Sequence, residues 1–263
     1  MLLQIVYAGV GSMENAEKVV IFNDILNKFS LIRENALNEF KENLQKILAS
    51  SSLIKATVKE ENRKTSFIFN PLFFFNIGET MHSFLLTHLL DPEGSHGQGI
   101  LFLKLFLNKY DIDFDDSDQW TVTAETGRID ILLKRKHPKA VIIIENKSNY
   151  AVDQDCQLYR YWFKEMFLPE QDAMVLKDRK HFRIFYLSPD INKIPEPYSL
   201  KKPEDESYKA FPSLPDKLDE CDIDKIFFNQ DIIEWLNDCL KEIENENHRL
   251  REYITQYIEI WNP

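Results

Sequence analysis

Four consecutive β-branched residues, Val141-Ile142-Ile143-Ile144, run directly into Glu145-Asn146-Lys147. A run of this kind is the mark of a strand buried on both faces. The segments before it agree with a sheet. Trp120, Val122 and Ala124 alternate with Thr121, Thr123 and Glu125, and Ile129 to Leu133 is a second short apolar run. The polar stretch 134–139, which contains Pro138, is a turn. Phe182 to Leu187 is a further strand, closed by Ser188-Pro189-Asp190.

Helical spacing surrounds these strands. Residues 14–50 carry apolar positions at threes and fours, among them Val19, Phe22, Ile25, Phe29, Ile32, Phe40, Leu44 and Ile47. Residues 51–70 are mixed and polar and read as a connection. Glu79 to Leu90 is a second helix, stopped by Asp91-Pro92 and apolar nearly all round, which predicts burial. Residues 93–99 are a loop, and Ile100 to Leu107 resumes as helix. Asp153 to Phe167 is helical with Asp153 as N-cap. Residues 189–220 are rich in proline, lysine and acid and read as a long surface insertion. The helices 231–244 and 251–261 close the chain, the first with Ile232, Ile233, Trp235, Leu236 and Leu240 on one face.

The order through the middle is helix, strand, strand, strand, helix, strand. This predicts an α/β sandwich built on a three-stranded meander, not a doubly wound array. We expect one domain over 1–263, with a core at about 70–190, N-terminal helices over 13–50 and C-terminal helices over 229–261.

Composition narrows the setting. Lys and Arg total 32 against 43 Asp and Glu, a net charge of −11, which argues against a protein held on nucleic acid by a basic field over its whole surface. The three cysteines (Cys156, Cys221, Cys239) form no CxxC pair, so neither a disulfide framework nor a cysteine zinc site is supported. With no run near the ~18 apolar residues of a membrane span, a cytoplasmic, reducing location without membrane contact is expected. Residues 1–12 are apolar at first but lack a basic n-region; they are uninformative, and Met13 is an alternative start.

The chemistry gathers around two strands. Glu145 and Lys147, two apart, project from the same face. A turn centred between His137 and Pro138 sets Asp130 directly opposite Glu145, with Cβ atoms about 4.5 to 5.5 Å apart. Two carboxylates that close repel unless a cation lies between them. A hard divalent ion with oxygen ligands suits the pair, and Mg²⁺ is usually held by one or two carboxylates plus phosphate oxygens and water. Lys147 beside them can orient an attacking water or offset charge in the transition state.

Asp130 followed by Glu145-Asn146-Lys147 across a β-hairpin resembles the PD-(D/E)XK nuclease superfamily, with its restriction-endonuclease-like αβββαβ core. Gln157-Leu158-Tyr159-Arg160-Tyr161 resembles the QxxxY motif of its RecB-type branches, and Gly127-x-x-Asp130 their GxxD. The stretch from Glu79 to Leu107 (His82-Ser83, Leu89-Leu90-Asp91-Pro92, His96-Gly97) and Ile233-x-Trp235-Leu236 are similar to blocks of a poorly characterised bacterial subfamily. Ile129 stands where the motif's proline would be.

The resemblance implies Mg²⁺-dependent cleavage of a nucleic-acid phosphodiester, with DNA the expected substrate and Mn²⁺ a substitute ion. Asp130 and Glu145 would ligate the metal with the backbone carbonyl of Asn146, and Lys147 would serve the hydrolytic water. Glu79 is the candidate to complete the set, with Glu125 in competition. Gln157 and Tyr161, one helical turn apart, would line the site, and Arg128 would contact phosphate or pair with an acid such as Glu125. The basic clusters Lys134, Arg135, Lys136, His137, Lys139 and Lys177, Arg179, Lys180, His181, Arg183 would track the backbone. A homodimer is compatible, since cutting both strands takes two sites. The rival is a catalytically silent member acting as a binding or regulatory module, which would be expected to have lost Lys147 or an acid.

Other chemistries find little support. His82, His88 and His96 are six and eight apart, not the three or four of helical zinc ligands. Ser83 lacks a nucleophile elbow, and no Walker A sequence occurs.

Overall fold

A computed structural model of the chain describes residues 15–262, so the expectations for residues 1–12 and Met13 lie outside the described residues. The chain divides between Phe69 and Asn70 into two compact units. Among the described residues no helix is long and apolar enough to cross a membrane.

Among the described residues the first unit holds one helix, α1 (Asn15–Thr65), of 51 residues. The connection expected over 51–70 is therefore helical as far as Thr65. The span holds no glycine or proline, and its polar end is built from good helix formers. Glu60 pairs there with Arg63 and Lys64, one turn on. Ser66, at φ 53°, takes the left-handed conformation that commonly ends a helix.

The second unit is a mixed sheet between helices: β1 (Trp120–Thr126), β2 (Ile129–Arg135), β3 (Ala140–Asn146), β4 (Phe182–Ser188) and β5 (Ile223–Phe227), in that spatial order. β1, β2 and β3 are antiparallel neighbours; β4 joins β3 in parallel and β5 joins β4 in parallel. All seven residues of β3 are buried. Ile142 and Ile144 enter one core, with α2 (Glu79–Leu90), α3 (Leu101–Lys109), α6 (Ile233–Glu242) and α7 (His248–Trp261). Val141 and Ile143 enter a second core on the other face, under α4 (Gln157–Trp162) and the π-helical turn Phe163–Phe167. A central strand between two cores has no solvent side, which accounts for its unbroken apolar run.

Four expectations change. Met81 and Phe84 of α2 are exposed, so this helix buries one side only. Asp153 does not cap a helix: α4 starts four residues later, after Cys156 in the left-handed conformation. The 189–220 segment is more than surface, because Leu200, Tyr208, Leu214 and Leu218 fill the second core and α5 (Glu206–Lys209) forms within it. β5 was not foreseen.

Arg135, expected on a basic rim, is instead 3 % exposed. Its guanidinium donates to Asp118 at 2.5 Å, to the Asp113 carbonyl at 2.7 Å and to the Pro138 carbonyl at 2.6 Å, and it lies over the Trp120 ring. It therefore clamps the hairpin end of the sheet. Arg135→Ala leaves the buried Asp118 carboxylate without its cation, held only by the Asp115 N–H, and should cost about 3–5 kcal/mol in urea denaturation.

Candidate active site

Thr126 pairs with Ile129, so Gly127-Arg128 is a two-residue turn. Both have positive φ, 65° and 71°, the type I′ geometry that matches strand twist. Glycine adopts this freely; Arg128 does so under strain. The Tyr161 hydroxyl donates to the Arg128 carbonyl and helps hold it. This tight turn fixes Asp130 as the second residue of β2.

The β2–β3 ladder runs from Arg135 opposite Ala140 to Ile131 opposite Ile144. This is the register expected of the turn at His137-Pro138, and one further step sets Asp130 against Glu145. The Asn146 N–H, which a ladder carbonyl would normally receive, donates to Asp130 Oδ2 at 2.6 Å. Alternation turns the Asn146 side chain the other way. Its Nδ2 donates to the Glu79 carbonyl at 2.8 Å and to Ser83 Oγ at 3.0 Å, tying the start of α2 to the end of β3.

Glu145 and Lys147 lie on the α4 face, 1 % and 4 % exposed. Lys147 Nζ is 2.7 Å from Glu145 Oε1, 3.3 Å from Gln157 Oε1 and 3.8 Å from Asp153 Oδ1. Gln157 Nε2 donates to the Tyr161 hydroxyl at 3.0 Å. One chain of contacts thus runs from Lys147 through Gln157 and Tyr161 to the β1–β2 turn. Each member restrains the next, so the QxxxY pair reaches the carboxylates through the lysine.

The electrostatics follow from burial and crowding. Burial pushes the Asp130 carboxyl up to about 6; the Asn146 N–H opposes this, and Glu125 and Glu79 add to it. Burial, and then Asp130, holds Glu145 well above the usual carboxylate range. Burial pulls Lys147 down, but Glu145, Asp153 and Asp130 outweigh it, so its pKa is raised and the ammonium stays charged. Glu125 is also raised, by burial and then by Glu79.

Two destabilised carboxylates, one raising the pKa of the other, are what a cation would relieve. Glu145 Oε2 is buried with no hydrogen-bond partner, and only hard oxygen donors converge here. The residues therefore fit a divalent ion of the Mg²⁺ type. Among the described residues no group of three or more His, Cys, Asp or Glu forms a preassembled metal cluster. Glu79 Oε1 is 3.3 Å from the N–H groups of Asn149 and Ala151, and Glu125 is exposed. Both act electrostatically on Asp130, and neither completes a three-carboxylate cage.

Asp153 was missed as a site residue. Its carboxylate, 1 % exposed, accepts from the Tyr186 hydroxyl at 2.8 Å and the Glu196 N–H at 2.7 Å. Together with Glu145 it holds the Lys147 ammonium. Nothing in its sequence neighbourhood signals this, because its partners come from β4 and from the 189–220 segment.

The basic clusters are largely neutralised. Lys134 meets Glu165 at 2.5 Å, Lys139 pairs with Glu170, and Lys177, Arg179, Lys180, His181 and Arg183 all have acidic partners. Lys136 is exposed at the β2–β3 turn. Arg128 is exposed and lines a cavity with Arg160, Lys164 and Tyr161. His82 is a core residue: its ring nitrogen is 2.9 Å from the Tyr257 hydroxyl, and burial lowers its pKa to about 4.

Neither a curated protein nor a solved structure shows a significant match to the chain. The family model of the PD-(D/E)XK nuclease superfamily does, over residues 69–259, which take in the whole sheet and every residue of the site, and the chain belongs to that superfamily.

Proposed function

We propose that the protein is a metal-dependent nuclease that hydrolyses nucleic-acid phosphodiesters, with DNA as the substrate. The observation that carries this reading is the intact set at the end of β2 and β3: Asp130 on the Asn146 N–H next to Glu145, an unpartnered buried Glu145 oxygen, and a charged Lys147 between Glu145 and Gln157. Asp130, Glu145 and the Asn146 carbonyl would hold Mg²⁺, or Mn²⁺ in its place, with Glu79 and Glu125 the further acids that act on Asp130. A divalent ion there supplies Lewis-acid polarisation of the scissile phosphate and neutralises charge developing on it.

The remaining steps belong to the chain. The Lys147 ammonium is a donor, not a base, so it orients the attacking water and stabilises negative charge on the phosphate oxygens. Gln157 and Asp153 position that ammonium. Arg128 and Arg160, on the cavity beside Tyr161, supply cations for the phosphate backbone, and Lys164, paired with Glu165, lies on the same cavity. With most other surface cations paired to acids, affinity should depend on the bound ion and fall steeply with salt.

The test is to add Mg²⁺ or Mn²⁺ while following melting temperature and the cleavage of supercoiled plasmid, single-stranded DNA and RNA. Saturating ion at about 100 times its Kd should stabilise the protein by about 2.7 kcal/mol, and DNA should be cut only with ion present. Stabilisation without cleavage of any substrate would favour a silent binding module. Neither stabilisation nor cleavage would overturn the reading.

A further inference from the structure

The helix α1 leaves its apolar side uncovered. Phe22, Phe29, Phe40 and Ile47 are 60, 58, 63 and 64 % exposed, and Ile54 and Val58 are exposed with them. The steps between these six residues are 7, 11, 7, 7 and 4, each close to a whole number of turns. At 100° per residue all six fall within about 40° of one another. They form a straight seam of ten turns, about 54 Å long at 1.5 Å per residue. Leu26, Leu37, Leu44 and Leu48 flank it, all exposed.

Length decides what can cover such a seam. A globular domain of about 200 residues has a radius of gyration of about 16 Å, so it is about 40 Å across and too short to cover the seam. A second straight helix of the same length covers it end to end. Charge permits the match: Asn15–Thr65 carries nine Lys and Arg against seven Asp and Glu, whereas the whole chain stands at −11. Two copies of α1 therefore meet without the repulsion that two copies of the rest would feel. The area suffices as well. With about three-fifths of each ring exposed, the six seam residues and their leucine flanks bring on the order of 800 Å² per copy, the size of a specific interface.

We propose that α1 is a self-association helix: two copies of the chain pair along the Phe22–Val58 seam into an elongated two-helix interface. The proposal is independent of the catalytic reading.

Sedimentation equilibrium of the full chain tests it. Wild type should have twice the 31.1 kDa chain mass at micromolar concentration. The triple variant Phe29→Glu, Phe40→Glu, Ile47→Glu should fall to a single chain, because glutamate keeps the helix but not the seam. Its retained melting transition would show that the second unit still folds. The control Leu31→Glu, Leu53→Glu, on the opposite side of the helix, should remain a dimer. A wild-type monomer overturns the proposal, whether the seam is covered within the chain or by another protein. So does a trimer or tetramer, a dimer untouched by the triple variant, or loss of the dimer in the control.

Discussion

Replacing Asp130 by asparagine is expected to stabilise the metal-free protein while removing its response to metal. Asparagine keeps an oxygen to accept from the Asn146 N–H but carries no charge. In the native chain the Asp130 carboxyl is pushed from the ordinary 3.8 up to about 6, chiefly by burial. The folded form thus binds its proton more tightly than the unfolded one. Stability is then greatest below about pH 4, declines as pH rises through 6, and is flat above. About two pKa units correspond to about 3 kcal/mol of penalty carried at neutral pH. Without metal, Asp130→Asn should exceed wild type by up to that amount at pH 8 and match it at pH 4. With saturating Mg²⁺ only wild type should gain, and DNA cleavage by the variant should fall about a thousandfold or more, the several kcal/mol that a metal ion contributes. Urea denaturation at both pH values, with and without ion, reads all of this. A variant less stable than wild type at pH 8 without metal would contradict the origin assigned to the shift.

Replacing Lys147 by methionine should act in the opposite sense on stability and in the same sense on activity. Methionine keeps much of the length and volume but leaves Glu145 and Asp153, each 1 % exposed in its side chain, without their shared cation. Removing one partner of a buried pair costs about 3–5 kcal/mol. Wild-type Lys147 has a raised pKa, so its own contribution persists through neutral pH and is lost only in alkaline solution. The variant's deficit instead follows ionisation of Glu145, and should be largest at neutral pH and shrink toward acid. Divalent ion should restore part of the lost stability by taking the place of the ammonium charge, but not the cleavage rate, since no donor faces the attacking water. Cleavage at the wild-type rate would overturn the role given to Lys147.

The parts of the chain that were legible in the sequence are those whose burial is two-sided or whose boundaries are local. β3 is buried on both faces and could be recognised from four residues. α2 begins and ends where the Asp91-Pro92 stop and the apolar run place it. The β2–β3 register, Ile131 opposite Ile144 to Arg135 opposite Ala140, followed from turn position alone. β5 was hidden because it is a short edge strand in which only Ile223 and Ile226 are buried, while Asp224 points its charge at Arg179 and Arg183. Arg135 resembled a solvated turn cation because its acidic partner lies in the 111–119 loop, seventeen residues away. Asp153 depends on Tyr186 and Glu196, and the packing of the 189–220 segment arises from residues with no common period. Contacts between distant segments leave no spacing to read.

The proposed chemistry needs one divalent ion shared by Asp130 and Glu145. Crystals grown with Mn²⁺ and measured at its absorption edge test this directly. The predicted result is an anomalous peak within about 2.1–2.3 Å of a carboxylate oxygen from each residue, at Oε2 in the case of Glu145, absent from Asp130→Asn crystals. Saturating Mn²⁺ with no peak between the two carboxylates, or a peak that persists unchanged in the Asp130→Asn variant, would contradict it.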